Sequence, residues 1–196
     1  MLHALGEIFG FIGGAIGIAT ALPQVFRIRK LGHTEGLAVS PWILMYLQFV
    51  AWTAFGFKVA SPSVFISNFL TVGTTLLVVI AILGNSFKNW LVLAAGALAT
   101  CAFVFYAPEL LVNGVLVVLT ASRLPQLIKT WINRRTAIAT AVSVQSLLVA
   151  LVSMSFWMGF AILTENKLIV LTTIVAMSIT LATAVIESRI AKRATV

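Results

Sequence analysis

The chain has 196 residues, of which 61% are hydrophobic and only 9% charged, with a formal net charge of +8 and a mean hydropathy of +1.10. Soluble domains carry about 25% charged residues, so this composition excludes an ordinary soluble protein and predicts a chain embedded in lipid. The basic residues lie in short runs between apolar stretches, which favours a role in membrane orientation over nucleic-acid binding.

Seven apolar stretches have the length that a bilayer requires, which is about 20 mostly apolar residues. Charge, Pro, Gly or Asn separates each stretch from the next. The predicted fold class is therefore an all-α membrane protein with seven transmembrane helices, and the first stretch lacks the features of a cleaved signal peptide. The predicted spans are 7–26, 39–58, 63–84, 88–107, 110–131, 138–163 and 168–188.

Rows of small residues in the first span predict close approach between helix backbones. They recur at four-residue spacing, as Gly6, Gly10 and Gly14 in one row and Gly13, Gly17 and Ala21 in another. We expect the first helix to pack through these rows against other helices of the same half of the chain.

Lysine and arginine are distributed unequally over the two sides of the predicted bundle. Ten fall on one side and only two, Lys58 and Lys167, fall on the other. Because basic loops stay in the cytoplasm, the N-terminus is predicted outside and the C-terminus inside. The short loops and tail favour the cell (inner) membrane as the location of this multi-pass protein.

An internal repeat becomes visible in two segments. Residues 20–30 read TALPQVFRIRK and residues 122–135 read SRLPQLIKTWINRR. The prolines, Pro23 and Pro125, are 102 residues apart, and each is followed by a glutamine, Gln24 or Gln126. Each Pro-Gln pair lies near the predicted cytoplasmic end of a span and is followed by two more spans.

This arrangement predicts a three-helix repeat at 1–86, a linker helix at 87–108 and a second three-helix repeat at 109–196. A three-helix unit ends on the side opposite to its start. The single linker span restores the orientation, so the two repeats run parallel. Pro removes a helix-interior hydrogen bond, which makes the two Pro-Gln pairs candidate hinges, with a static kink as the alternative.

The duplicated Pro-Gln pair in a three-plus-one-plus-three plan resembles the PQ-loop superfamily, which includes the SWEET and SemiSWEET sugar facilitators. Residues 34–37 resemble the family's loop before its second helix. Trp52 and Asn68, sixteen residues apart, resemble a Trp and Asn pair that lines the SemiSWEET sugar pocket. The resemblance implies a sugar uniporter that works by alternating access, with the Pro-Gln pairs as hinges.

The second repeat departs from this pattern. Ala137-Ile138 replaces the Glu-Gly pair of the loop, Trp157 lies slightly later than its counterpart, and Thr173 follows it where an Asn is expected. Residues 122–126 also resemble the lysosomal amino-acid branch of the superfamily. The solute therefore stays open between a sugar and an amino acid or other metabolite, the latter with or without proton coupling.

Polar and aromatic side chains inside the spans predict a solute site. Gln48 and Trp52 share one helix face, and Asn68, Thr71 and Thr75 share another. An indole ring next to amides suits a sugar, because CH groups stack on the ring while hydroxyls bond the amides. The alternatives are a lipid-facing or interfacial position for Trp52 and interhelical bonding for Asn68.

Trp157, Thr173 and Arg123 complete the predicted substrate-binding set. Arg123 is a charge inside a span, which is a functional-site hypothesis by default, and it could hold a substrate carboxylate or a helix end. The alternative is that Arg123 extends to the lipid headgroups. Trp42 and Trp90 are predicted to lie at the membrane surface.

The acidic residues are predicted at span ends or in loops, which favours facilitated diffusion over proton coupling. They are Glu7, Glu35, Glu109, Glu165 and Glu187. His3, His33 and the single Cys101 are isolated, so no metal or cofactor is predicted.

No catalytic constellation is present, so we do not expect an enzyme. A non-transporting membrane receptor remains a third hypothesis. The expected partners are a small solute, with sugar favoured, and the lipid bilayer, while association between copies is left open.

Overall fold

The computed structural model describes residues 1–31, 39–134 and 144–194, without the side chains of 20–31, 40–41, 122, 133 and 191–194. Within these ranges all regular structure is helical. A 3₁₀ turn at Ala121–Arg123 separates α5 from α6. In chain order the helices are α1 (Leu2–Leu31), α2 (Val39–Lys58), α3 (Pro62–Leu83), α4 (Phe87–Tyr106), α5 (Glu109–Thr120), α6 (Leu124–Asn133), α7 (Val144–Leu163) and α8 (Lys167–Ala194).

Six helical segments of the described chain are long and apolar enough to cross a membrane. One of them, Glu109–Ile132, combines α5, the 3₁₀ turn and α6. α2 has 20 residues, the length of a seventh span. The predicted all-helical fold is confirmed, whereas the predicted start of the sixth span and the loop at residues 34–37 lie outside the described residues.

The first and last helices are longer than predicted. α1 covers Leu2–Leu31 where the sequence predicted 7–26, and α8 covers Lys167–Ala194 where it predicted 168–188. The prediction ended each span at its basic run. Lysine and arginine are good helix formers, so the helix continues after the apolar stretch has ended.

The α2–α3 and α7–α8 connections form the same turn, 105 residues apart. The Ser61 N–H donates to the Gly56 carbonyl at 2.9 Å, and the Asn166 N–H donates to the Ala161 carbonyl at 2.9 Å. The preceding residue is left-handed in both turns, with φ of 52° at Ala60 and 55° at Glu165. This is a common way to end a helix, and here it reverses the chain twice with one geometry.

Both helices that follow these turns begin with a side-chain cap. The Ser61 hydroxyl accepts from the Val64 N–H at 3.4 Å, and the Asn166 side chain accepts from the Ile169 N–H at 3.1 Å. These bonds satisfy N–H groups that the first turn of a helix leaves without partners. The start of α3 and the start of α8 are therefore fixed in the same register.

The helices pack as two triplets, each with its third helix in the middle. α3 contacts α1 and α2, and α8 contacts α7 and the α5–α6 segment. The triplets meet where α1 packs along α7 and where α2 touches α5. α4 packs mainly on α2, and Lys58 donates to the Val104 carbonyl at 3.1 Å. The division into 1–86, 87–108 and 109–196 stays a prediction.

The small residues of α1 serve two interfaces. A Cβ at Gly14 would overlap the Ser67 side chain of α3, so this position packs within the first triplet, as predicted, whereas a Cβ at Gly6 of the same row would meet Thr164 and Leu163 of the second. Gly13 instead faces α7, where the Ser153 hydroxyl donates to its carbonyl at 2.7 Å. The prediction that both rows pack within the same half is wrong, because α1 is also the main contact between the triplets.

Candidate functional site

A cavity of about 490 Å³ is lined by helices of both triplets. From the first triplet its walls contain Gly14, Gly17, Trp42, Met45, Gln48, Phe49, Trp52, Val64, Ser67, Asn68, Thr71 and Thr75. From the second triplet they contain Thr120, Arg123, Ala150, Ser153, Met154, Trp157, Ile169, Thr172, Thr173 and Ala176. All seven residues predicted to bind solute are among them; α4, described in full, is not part of the lining.

Eight lining positions of α2 and α3 recur in α7 and α8, each 105 residues later. The pairs are Met45 and Ala150, Gln48 and Ser153, Phe49 and Met154, Trp52 and Trp157, Val64 and Ile169, Ser67 and Thr172, Asn68 and Thr173, and Thr71 and Ala176. Trp157 therefore occupies the position equivalent to Trp52. Counted from the prolines, which are 102 residues apart, Trp157 lies three residues later than Trp52. The second repeat therefore has three extra residues between its proline and this part of α7.

The two tryptophans are held in the same way. Trp52 meets Phe55 edge-on at 5.5 Å between ring centroids, and Trp157 meets Phe160 edge-on at 5.5 Å. Both phenylalanines are buried, with 8% and 1% of their surface exposed, so each indole rests on a fixed ring. The lipid-facing alternative for Trp52 is wrong, because the side chain is half-buried and lines the cavity.

Trp42, predicted to lie at the membrane surface, also lines the cavity. Trp90 is 41% exposed and donates to the Asn85 side chain at 2.7 Å. Trp42 lies three residues before Met45, which continues the face that carries Trp52. Helical spacing from Trp52 could have identified it.

The hydroxyl groups of α3 leave acceptor positions for a solute. Thr71 donates to the Ser67 carbonyl at 2.8 Å, and Thr75 donates to the Thr71 carbonyl at 2.7 Å. Because each hydroxyl already donates its hydrogen to a carbonyl of its own helix, its lone pairs remain available as acceptors. Together with the amide groups nearby, these positions can bond the hydroxyls of a solute.

The two amides of the first triplet supply donors. The Asn68 amide nitrogen bonds the Val64 carbonyl of its own helix at 2.7 Å, so the alternative of interhelical bonding is wrong for this group. Its second N–H and its oxygen are not used by that bond. The Gln48 amide has no hydrogen-bond partner in the described chain and faces the same cavity.

Arg123 reaches the cavity because the span is interrupted beside it. Pro125 has no N–H to give to the Ala121 carbonyl, and the Leu124 N–H donates to that carbonyl instead, which tightens the chain into a 3₁₀ turn. Arg123 ends this turn and lines the cavity. The structure gives its guanidinium no hydrogen bond or ion pair among the described residues.

Gln126 does not satisfy the carbonyl that the proline frees. Its amide nitrogen donates to the Thr130 hydroxyl at 3.2 Å, and Thr130 donates to the Glu187 carboxylate at 2.6 Å. Glu187 lies near the end of the last span, as predicted, but it is only 2% exposed. α8 continues to Ala194, which keeps this carboxylate against α6.

Of the predicted hinge residues whose side chains the structure describes, Pro125 and Gln126, neither lines the cavity. α1 continues through Pro23 as an α-helix, and the side chains of Pro23 and Gln24 lie outside the described residues. Pro125 and Gln126 lie directly after the 3₁₀ turn. Their role as hinges stays a prediction.

The chain resembles known proteins in its fold, not in its sequence. No protein-family model matches the chain, and no curated protein matches it. Among solved structures, a eukaryotic SWEET transporter matches with a TM-score of 0.73 and 17% sequence identity, over 96% of this chain and 99% of that chain. This chain has a SWEET-like fold. With its apolar helices, it is a multi-pass membrane protein.

Within this SWEET-like fold, several lining residues were missed by sequence reasoning. Ser153, Met154 and Thr172 are cavity residues whose equivalents in the first triplet are Gln48, Phe49 and Ser67. The sequence contained the signal that identifies them, namely the separation of 105 residues between Trp52 and Trp157. Within the described ranges no three metal-binding side chains come together as a metal site requires.

Proposed function

We propose that the protein is a membrane transporter for a small polar solute and works as a SWEET-like uniporter of a sugar. The observation that carries the proposal is a cavity of about 490 Å³ bounded by both triplets, with a tryptophan from each facing it. Small-molecule sites span about 300–1,000 Å³ and combine apolar walls with a few placed polar groups. The matching SWEET transporter supports the same function for this fold.

The lining suits a hydroxylated ring. Trp52 and Trp157 offer flat faces for the CH groups of a sugar. Gln48 and Asn68 supply donors, and the hydroxyl of Thr71 supplies an acceptor. A solute of this kind replaces its water contacts with these groups, so entry into the apolar bundle does not leave its hydroxyls without partners.

Alternating access would follow from movement of one triplet against the other around this cavity. The α1–α7 contact and the α2–α5 contact are the places where the triplets touch. The 3₁₀ turn at Ala121–Arg123 offers a point of bending, since a short break in a helix commonly marks a hinge.

Asn68→Ala tests the proposal in proteoliposomes that contain the purified protein. We expect uptake of labelled glucose or sucrose to fall about tenfold or more, because a buried hydrogen bond to the solute is lost. Asn113→Ala is the matched control, since Asn113 is an amide within the α5 span that does not line the cavity. Equal uptake by the wild type and the folded Asn68→Ala variant would contradict the proposal.

A second candidate is proton-coupled transport of an amino acid or another metabolite. The buried Glu187 carboxylate favours it, because a proton relay needs an ionisable group inside the protein. An inward proton gradient should then drive uptake in the wild type but not in Glu187→Gln. If uptake is independent of the proton gradient in both proteins, the uniporter proposal is favoured over proton coupling. Binding of solute without any flux would indicate a receptor.

A further inference from the structure

The charge of the cavity wall is one-sided. Arg123 lines the cavity, and no acidic residue of the described chain does. Glu7 accepts hydrogen bonds from the Ser61 hydroxyl and the Ser63 N–H, and Glu187 accepts from Thr130. Glu109 and Glu165 lie exposed at helix ends.

The Arg123 side chain is exposed, so its guanidinium is open to whatever fills the cavity. Among the described lining residues it carries the only formal charge, and an anionic group of a solute can replace the water on its donors. Arg123 has five N–H donors, and none of them bonds a described residue. Its position in the cavity therefore provides a site for an anion that comes from outside the protein.

Arginine recognises a carboxylate through two parallel hydrogen bonds, which gives both energy and orientation. The groups that face the same cavity bind hydroxyls and ring faces, as argued for Gln48, Asn68 and the two tryptophans. We propose that the solute is a polyhydroxylated monocarboxylate, a sugar acid of the hexuronate or aldonate class, with its carboxylate on Arg123. This inference rests on the proposed function, because it names the solute of the same site.

An amino acid fits this wall less well. Its ammonium group would need a carboxylate partner, and no described acid lines the cavity. The first repeat does not duplicate this cation, because Ala21 occupies the position before Leu22-Pro23 that Arg123 occupies before Leu124-Pro125. One cation then matches a solute with one negative charge.

The test compares two sugars that differ at one carbon. Glucuronate has the ring of glucose with a carboxylate in place of the primary alcohol. Binding to the purified protein is followed by tryptophan fluorescence, since Trp42, Trp52 and Trp157 line the cavity. We expect glucuronate to bind at least about tenfold more tightly than glucose, the effect of one charge-assisted pair.

Two variants of Arg123 test whether this residue causes the preference for glucuronate over glucose. Arg123→Gln should bring the ratio of glucuronate to glucose affinity close to one, and Arg123→Lys should keep part of it, because a point charge remains. Glu35→Gln is the control for an ion pair with the protein, since Glu35 lies outside the described residues. Removal of an acid that competes for Arg123 would free the guanidinium, so Glu35→Gln should leave the ratio unchanged or raise it. A ratio that Arg123→Gln does not change would overturn the inference.

Uptake of both sugars into proteoliposomes separates this inference from the proposed function. Transport of glucose with no preference for glucuronate would overturn the sugar-acid inference and keep the transporter. Binding of glucuronate that depends on Arg123 but gives no flux would keep the anion site and overturn the transporter. Failure of the wild type to bind either sugar would overturn the inference without use of any variant.

Discussion

The α2–α3 wall and the α7–α8 wall of the cavity share their geometry and differ in their chemistry. Trp52 and Trp157 are equivalent and rest on equivalent phenylalanines. The turns beneath them have the same hydrogen bonds and the same left-handed residue. The polar positions differ, because Gln48, Asn68 and Thr71 correspond to Ser153, Thr173 and Ala176 in the other wall.

This difference separates two kinds of constraint. The rings that pack in the two walls are identical, and the turns keep one geometry although their residues differ, with Ala60 and Ser61 in one turn and Glu165 and Asn166 in the other. Residues that line the cavity are free to differ, and here the amides lie in the α2–α3 wall, while the cation, Arg123, is contributed by the 3₁₀ turn of the second triplet. The site therefore has a neutral side for hydroxyls and a charged side, although the scaffold around it is a repeat.

The first helices of the two triplets differ in a complementary way. Counted from the two prolines, Gly10 and Gly14 of α1 correspond to Val112 and Leu116 of α5. Val112 and Leu116 are buried in the apolar core, with 2% and 1% of their surface exposed. α1 reaches α3 because it has no side chain at these positions, whereas α5 fills the equivalent space with side chains.

The largest expected effect comes from placing the α5 residue in α1. Gly14→Leu should destabilise the fold by about 3 kcal/mol or more, because even its first carbon would overlap the Ser67 side chain and the packed interface has no room for the others. The measurement is the thermal unfolding midpoint in detergent, together with the yield of monodisperse protein.

Gly73→Leu is the matched control for this change. Gly73 also lies within a helix of the first triplet, but a Cβ there would meet nothing within 4 Å. We expect it to leave the unfolding midpoint unchanged or slightly raised, since leucine favours the helix more than glycine does. Similar losses in both variants would mean that the difference between α1 and α5 is not one of packing space.

The second effect tests the similarity of the two walls. Trp52→Ala and Trp157→Ala should weaken binding of the transported solute by similar amounts, about 2–3 kcal/mol each, because both remove a ring of equal size held at equal distance. Dissociation constants of the two variants would be compared with that of Trp90→Ala, which changes an exposed ring outside the cavity. A loss confined to one of the two variants would show that the solute contacts only one wall.

The sequence predicted the fold well because lipid imposes strong constraints on composition. A bilayer requires long apolar segments and satisfied backbone groups, so the helices can be counted from hydropathy alone. The helix ends were less predictable. In α1 and α8 the basic runs mark where the apolar stretch ends, and the helix itself continues through them.

The candidate site was predicted where a residue is unusual for a membrane span. Asn68 and Arg123 were identifiable because an amide or a charge inside lipid requires an explanation. Met154 and Phe49 were missed, because apolar residues in apolar helices give no such signal. Glu187 was assigned to a span end, since its burial depends on how far α8 extends past the apolar stretch and on Thr130 of another helix.

The smallest effect concerns the two glutamates at equivalent positions, Glu7 and Glu109. Glu7 accepts from the Ser61 hydroxyl and the Ser63 N–H, both at 2.8 Å, at the start of α3. A carboxylate there also interacts favourably with the partial positive charge of a helix N-terminus. Glu109 is exposed in the first turn of α5, and the structure gives its side chain no such contact in the described chain.

Glu7→Gln should therefore lower stability by about 1 kcal/mol, because the amide keeps one acceptor but loses the charge that strengthens both bonds. For a chain of this size that corresponds to about 2–4 °C in the unfolding midpoint. Glu109→Gln should stay within about 0.5 kcal/mol of the wild type, as exposed substitutions usually do. Equal shifts in the two variants would mean that the Glu7 bonds contribute no more than water does. A larger shift for Glu109→Gln would reverse the proposed difference between the starts of the two repeats.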